Sequence, residues 1–301
     1  GYPENSKTYT PDARDTIRLI TMQYTLSYKN ISMSVSSLGA ELQSLKKGEK
    51  EFLYQKKDGF WQRQSPILFP IVGALKEGIY RFDGNEYSLS QHGFARDREW
   101  TFLEKSENSL LFRLNSDSST RMNYPFDFQI ELIYIIDESG LKVQYTVKNT
   151  GTEDMYFSIG GHPAFLTEED ISVYSLSFPD DMEISIDRLE GGLLAKSENY
   201  PLVEGSLSLD ERLFEKDAMV LRSVQSKKIH LQKGGQDVFV FDRGNFPHFG
   251  IWKQPNAPFL CLEPWSGYAD TVRTSGEFTE KSGINFLKSG KVQDFWWKVQ
   301  I

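Results

Sequence analysis

Alternation of apolar and polar residues with a period of two dominates the chain from about Met22 onward. Ile31–Ser36 alternates strictly, the pattern of a half-buried strand. Ile79–Phe82 and residues 86–89 flank Asp83-Gly84-Asn85, a strong hairpin turn. Phe128, Ile130, Leu132, Tyr134 and Ile136 fall on one face of a long strand. After Glu138-Ser139-Gly140, Leu141, Val143, Tyr145 and Val147 fall on one face of the next. The opposite face of that second strand is Lys142, Gln144, Thr146 and Lys148, so the pair predicts an antiparallel hairpin with one wet face. Further strands are predicted over residues 171–178, 182–186, 228–232 and 238–241, and over part of 286–301. Convincing amphipathic helices are missing; short helical turns are predicted near 119–123 and 209–214. Strand after strand with turns between reads as an all-β, antiparallel sandwich or barrel. No linker, repeat or low-complexity segment divides residues 22–301, so they are read as one domain. Residues 1–21 are polar and lie outside the patterned sequence; they are expected to be an N-terminal extension.

Composition narrows the function. The net charge is −8, and no dense basic stripe exists to neutralise phosphates, which argues against nucleic acid. No apolar run approaches the roughly 20 residues that span a bilayer, no secretory leader pattern opens the chain, and a cytoplasmic location is expected. The single cysteine, Cys261, excludes an internal disulfide and any multi-cysteine metal site, and fits a reducing compartment. HxxxH and HExxH spacings, phosphate loops and GxSxG are absent, so no metal or cofactor is expected. Nothing fixes an oligomer interface.

Few residues remain to carry chemistry. Of four histidines, His162 stands in Gly160-Gly161-His162-Pro163, where glycines let a ligand or another backbone approach closely and the proline fixes the chain. Facing a cleft and capping a tight turn both remain open for it. His92 opens HGFAR; alone, it reads equally as part of a loop anchored by Arg96–Asp97 or Arg98–Glu99 pairs. His230 alternates as a strand-surface residue, and His248 fits either a cleft rim or a loop. Glu263 sits inside the apolar run Pro258–Leu262 and before Pro264-Trp265. A carboxylate there is costly unless paired or protonated, and such surroundings raise its proton affinity, which suits proton transfer. The competing reading is a structural carboxylate tied to backbone amides or an arginine.

The segments PILFPIVGALKEGIYRFDGNEYSLSQHGFARDREW, GGHPAF and FGIWKQPNAPFLCLEPWSGYAD, in that order, resemble the aldose 1-epimerase (galactose mutarotase) family, within it the LacX-like branch. The resemblance runs from about Met22 to the C-terminus. It implies a large antiparallel supersandwich with a sugar cleft, and cofactor-free interconversion of the α and β anomers of a free or phosphorylated hexose. By motif, His162 takes the place of the general acid, Glu263 of the general base, and His92 of a second histidine near the ring oxygen. Trp61, Phe94, Phe165, Trp252 and Trp265 are candidate stacking faces. Where many members carry an arginine after the FPxxG glycine, this chain has Ala74 after Gly73; Arg63, Lys76 and Arg96 are the candidates to replace it. Asp242 is the candidate for the aspartate that holds sugar hydroxyls. Two alternatives share the fold. One is a hexose-6-phosphate 1-epimerase, needing a cationic pocket from Arg63, Arg96 or Arg98. The other is a non-catalytic sugar-binding or regulatory protein. A domain of a polysaccharide-active enzyme is a weaker rival, since no paired acids stand out.

Overall fold

In a computed structural model of the chain, residues 21–168 and 170–301 are described. The expected extension falls almost wholly on residues 1–20, outside the described residues. The architecture is all-β and antiparallel, with a nine-stranded and an eight-stranded sheet as its largest parts. The strongest sequence pattern forms the spine of the larger sheet. Phe128–Asp137 pairs with Gly140–Asn149 through the turn after Asp137, and Gly140–Asn149 pairs on its other edge with Val292–Gln300. Burial along Phe128–Asp137 alternates without a break, as its period predicts.

The two sheets pack face to face. Phe165 packs on Phe239 at a tilt with centroids 4.4 Å apart, and Phe241 lies 5.7 Å from Phe249. Trp297 donates its indole N–H to Tyr145 Oη beneath them. Each such aromatic burial contributes about 1.5–3 kcal/mol, so this layer supplies a large share of the core.

The smaller sheet is buried on both faces at its centre. Phe259–Ser266 has no exposed residue. Leu260 and Leu262 join the inter-sheet core, while Phe259 and Cys261 pack on the outer side with Tyr54, Ala164 and Ala257. Period-two alternation therefore puts Glu263 on the outer side, away from the second sheet. A four-stranded sheet begun by Gln23–Tyr28, the hairpin Ile79–Phe82 with Asn85–Ser88, and the long-range pair Met155–Phe157 with Asn285–Leu287 complete the described fold.

Most strand expectations agree with the structure. Residues 171–178 differ: Ile171–Val173 is a 3-10 turn, capped by Asp170 accepting from the Ser172 N–H, and the strand is Tyr174–Ser177. The predicted helical turns are Ser118–Arg121 and the 3-10 turn Glu211–Phe214. Among the described residues, no helix is long and apolar enough to cross a membrane.

Candidate active site

Phe259–Ser266 organises the site through its neighbours. Ile159–Gly161 pairs with it on one side, with Gly160 opposite Trp265, and Ala164–Leu166 continues, with Ala164 opposite Cys261. The ladder breaks between them at His162-Pro163, because Pro163 has no N–H to give. The register on both sides of the break is the same, and carried through it sets His162 across from Glu263. His162 Nε2 lies 3.3 Å from Glu263 Oε1, with both side chains buried. Gly250, on His248–Trp252, is the partner of Glu263 on the other side.

The glycines serve an aromatic ring rather than a ligand. A Cβ on Gly160 would lie 2.7 Å from Trp265 Cδ1, and one on Gly250 would lie 2.4 Å from Cζ2. The Trp265 indole therefore lies flat across the sheet between these two strands. From there it donates Nε1–H to Glu263 Oε2 at 3.2 Å. Gly161 faces the other way, under Trp297 and Tyr145. Gly250→Ala is accordingly expected to force the indole off the sheet and cost about 1–3 kcal/mol of unfolding free energy. Urea denaturation followed by tryptophan fluorescence reads this; an unchanged midpoint and native emission spectrum would contradict it.

A cleft of about 300 Å³, at the small end for ligand pockets, opens in front of the pair. Its wall includes His92, Arg96, His162, Glu263 and Trp265, with Trp61 and Trp252 beside them. Trp61 packs on His162 at a tilt with centroids 4.8 Å apart, and Trp252 meets the same ring edge-on at 5.7 Å. The Trp61 loop is held to its neighbour by Gln254 Oε1, which accepts the Trp61 N–H.

His92 is fixed by Gly73 at both ends. Its backbone N–H donates to Gly73 O, and its Nδ1 accepts the Gly73 N–H at 2.9 Å. This pairing places the neutral ring's proton on Nε2. His92 holds φ at +66°, an uncommon backbone state for a non-glycine residue. Gly73 has no room for a side chain: a Cβ there would lie 2.6 Å from that of Ala269.

Burial controls protonation. It lowers the His162 imidazole to about 3, with the Arg96 and Arg63 charges adding to the effect. Burial also holds His92 well below its usual value, helped by His162, Arg96 and Arg63. Glu263 moves the opposite way. Burial raises its carboxyl well above the ordinary range, the Trp265 hydrogen bond opposes this, and the Asp217 charge adds to it.

A family model described as aldose 1-epimerase matches residues 22–284. The chain belongs to the aldose 1-epimerase family. The chromosomal LacX protein of Lactococcus lactis subsp. lactis is 34% identical over 280 residues, 86% of this chain and 93% of LacX. Among solved structures, a galactose mutarotase related enzyme from Lactobacillus acidophilus gives a TM-score of 0.88 at 30% identity, covering 93% of this chain and 97% of that one. A galactose mutarotase-like protein from Lactobacillus casei ATCC 334 gives 0.86 at 27% identity, covering 93% and 99%.

Within this member of the aldose 1-epimerase family, the residues singled out from sequence divide into two groups. His92, Arg96, His162, Glu263, Trp265, Trp61 and Trp252 converge on the cleft. Arg63 does not line it; its guanidinium is drawn aside to Asp97 at 2.8 Å. Lys76 points away, its Nζ donating to Val272 O at the surface. Asp242 lies on Gln236–Asp242 in the other large sheet, where it accepts the Gly244 N–H. Phe94 packs on Phe69, Tyr124 and Phe128, and Phe165 is in the inter-sheet core, so neither offers a stacking face. His230 sits on a strand and pairs with Asp237 at 2.8 Å. His248 begins a strand and meets Tyr268 edge-on, off the cleft wall.

Asp217 was missed. It is exposed, holds φ at +67°, and lines the cleft close enough to act on Glu263. A lone aspartate in a surface loop carries no periodic signal that would single it out. Gln91 lines the cleft as well, one residue before His92.

Proposed function

We propose that the protein is an aldose 1-epimerase that interconverts the α and β anomers of a hexose, with Glu263 as general base and His162 as general acid. The observation that carries this reading is the buried, cross-strand His162–Glu263 pair, 3.3 Å apart, at the wall of an aromatic-lined cleft. A cyclic hemiacetal opens when the C1 hydroxyl loses its proton and the ring oxygen gains one. Two fixed groups of opposite protonation meet that need.

The free pair carries a single proton, because burial disfavours charge on both groups. Moving that proton from Glu263 to His162 across the short gap creates carboxylate and imidazolium together, and the bound sugar's polar groups stabilise the separated charges. Glu263 then takes the O1 proton while the His162 N–H protonates the ring oxygen. The C1–O bond of the ring breaks and the C1=O bond forms. Rotation about C1–C2 and the reverse transfers close the ring on the other face. His92 contributes its Nε2–H to a sugar oxygen, Asp217 accepts a sugar hydroxyl, and Trp265 with Trp61 offers apolar faces.

A pH profile follows from the one-proton pair. A second proton enters only as pH falls through about 3 on His162, and the first leaves only as pH rises through the raised Glu263 value. The active form therefore persists between those limits. Its kcat/KM is expected to hold level as pH falls from the raised Glu263 value toward the acid limit, with the acid-side loss near 3 and none at the ordinary imidazole value of about 6.5. A loss of activity on acidification centred near about 6.5 would contradict the assignment.

Arg96 favours a second reading, a hexose-6-phosphate 1-epimerase. Its Nε is buried without a hydrogen-bond partner and stands 4.0 Å from Asp97, too far to bond, while the side chain lines the cleft. An anionic substrate group would satisfy it. Exchange NMR on free glucose and galactose beside their 6-phosphates separates the readings. The main reading expects exchange of free anomers at least as efficient as of the phosphates. A strong preference for the phosphates would replace it with the second, and no exchange on any of them would overturn both.

A further inference from the structure

Three donors of different chemical kinds meet behind the cleft wall, two of them, His162 and Glu263, lining it and Cys261 buried beneath. His162, Cys261 and Glu263 each offer a ligand atom, and these atoms all lie within 4.8 Å of one another. The sheet places them there. Cys261 and Glu263 are two residues apart on one strand and so share a face, and His162 stands on the neighbouring strand across from Glu263. All three are buried. Cys261 is a free thiol with no role in the proton transfers above.

The distances suit a tetrahedral ion. With metal–nitrogen and metal–oxygen bonds of about 2.0–2.1 Å, two donors of a tetrahedron stand about 3.3 Å apart. His162 Nε2 and Glu263 Oε1 are separated by 3.3 Å. A thiolate donor at about 2.3 Å from the same ion would lie about 3.6 Å from each of them. The Cys261 sulfur lies within 4.8 Å of both, so it has at most about 1.2 Å to close on either.

Charge and softness select the ion. Burial favours a neutral assembly, and a dication with one thiolate and one carboxylate sums to zero. A thiolate and an imidazole suit Zn²⁺ and Cd²⁺ over Mg²⁺ or Ca²⁺, which prefer all-oxygen sites. The carboxyl is already oriented by the Trp265 N–H on Oε2, the kind of outer contact that positions metal-binding carboxylates. His162 Nδ1 is buried without a partner, so the ring's proton can sit there and leave Nε2 free to coordinate.

We propose that His162, Cys261 and Glu263 form a three-donor site for Zn²⁺, and that the bound ion takes the acid and base out of action. Binding deprotonates Cys261 and the Glu263 carboxyl, releases both protons to solvent, and leaves His162 neutral. No electron is transferred. The inhibitory half of the proposal rests on the epimerase reading; the site itself does not.

The test begins with chelator-treated full-length protein titrated with Cd²⁺. A sulfur-to-cadmium charge-transfer absorption should rise and saturate at one equivalent, and Zn²⁺ should reverse it. The band should vanish in Cys261→Ala and in Cys261→Ser, the second variant guarding against a packing defect in the first. In parallel, Zn²⁺ should slow anomer exchange by the wild type. The Zn²⁺ concentration for half-inhibition should rise at least about tenfold in the cysteine variants, each compared with its own metal-free rate. Absence of the wild-type band overturns the site, whatever the enzyme does. A band without Zn²⁺ inhibition of an active enzyme overturns the inhibitory role. Should the protein show no epimerase activity, the band still decides the site and only the activity reading fails.

Discussion

Glu263→Gln is expected to lower kcat/KM for anomer interconversion by about 10²–10⁴-fold while leaving the fold intact. The amide keeps the size of the carboxyl and its oxygen can still accept the Trp265 N–H, now at 3.2 Å. On the proposed mechanism, what is lost is the ability to take the O1 proton. Because the carboxyl is only 1% exposed and burial already opposes its charge, an amide should be tolerated at least as well in stability. His162→Gln is expected to cost a similar factor. The double variant should be hardly worse than either alone, since in the proposed mechanism the two groups exchange one proton and act as a unit. Stopped polarimetry on the three variants, beside thermal melts, checks this. Near-additive losses would show that the residues act independently, against the paired mechanism.

The largest expected stability effect lies just outside the cleft. Asp270 and Lys281 form a 2.8 Å ion pair in which both side chains are only 4% exposed. Asp270 also accepts the Lys76 N–H, its backbone N–H donates to Ala74 O, and its carbonyl accepts the Leu194 N–H. Lys281 donates a second bond to Tyr268 O. This residue thereby ties together the loop after Gly73, the hairpin that carries Leu189 and Gly192, and the segment that carries Ala269, all parts of the cleft wall. Asp270→Ala removes one partner and leaves a buried ammonium uncompensated. The expected loss is about 3–5 kcal/mol of unfolding free energy. Burial already lowers the Lys281 proton affinity, and without Asp270 it should fall further. In the variant the unfolded chain then binds more protons than the folded one over the alkaline range, so its stability should recover as pH rises. Asp270→Leu combined with Lys281→Met should regain much of the loss. Urea unfolding of the single and double variants measures both; a single-variant loss below about 1 kcal/mol would contradict the account.

Much of this was legible in the chain because β-structure writes itself with a period of two. The hairpin from Phe128 to Asn149 could be read residue by residue, since one face is wet and the other dry. The same signal fails at Phe259–Ser266, which is buried on both faces, so an apolar run there gives no side. Glu263 stood out only because a carboxylate is out of place in such a run. The cross-strand meeting of His162 and Glu263 depends on a pairing between residues about a hundred positions apart, which no local pattern encodes. Motif likeness supplied that link, and register supplied the geometry.

The misreadings have physical causes. Gly160 and Gly161 signalled a close approach, and the approach is real; the visitors are Trp265 on one side and Trp297 with Tyr145 on the other. Phe94 and Phe165 were candidates for sugar stacking, yet an aromatic in a sandwich this size has more core to fill than cleft to line. Arg63 and Arg96 look alike in sequence, but Asp97 draws Arg63 aside. Asp242, the candidate for holding sugar hydroxyls, lies in the other large sheet, whereas Asp217 lines the cleft without any sequence pattern to mark it.

The most direct test of the central claim is the optical rotation of freshly dissolved α-galactose and α-glucose with wild-type protein. Rotation should approach equilibrium faster than in buffer, at a rate proportional to protein concentration, and Glu263→Gln should return it to the buffer rate. Wild-type protein that leaves both free sugars equilibrating at the buffer rate would contradict that claim.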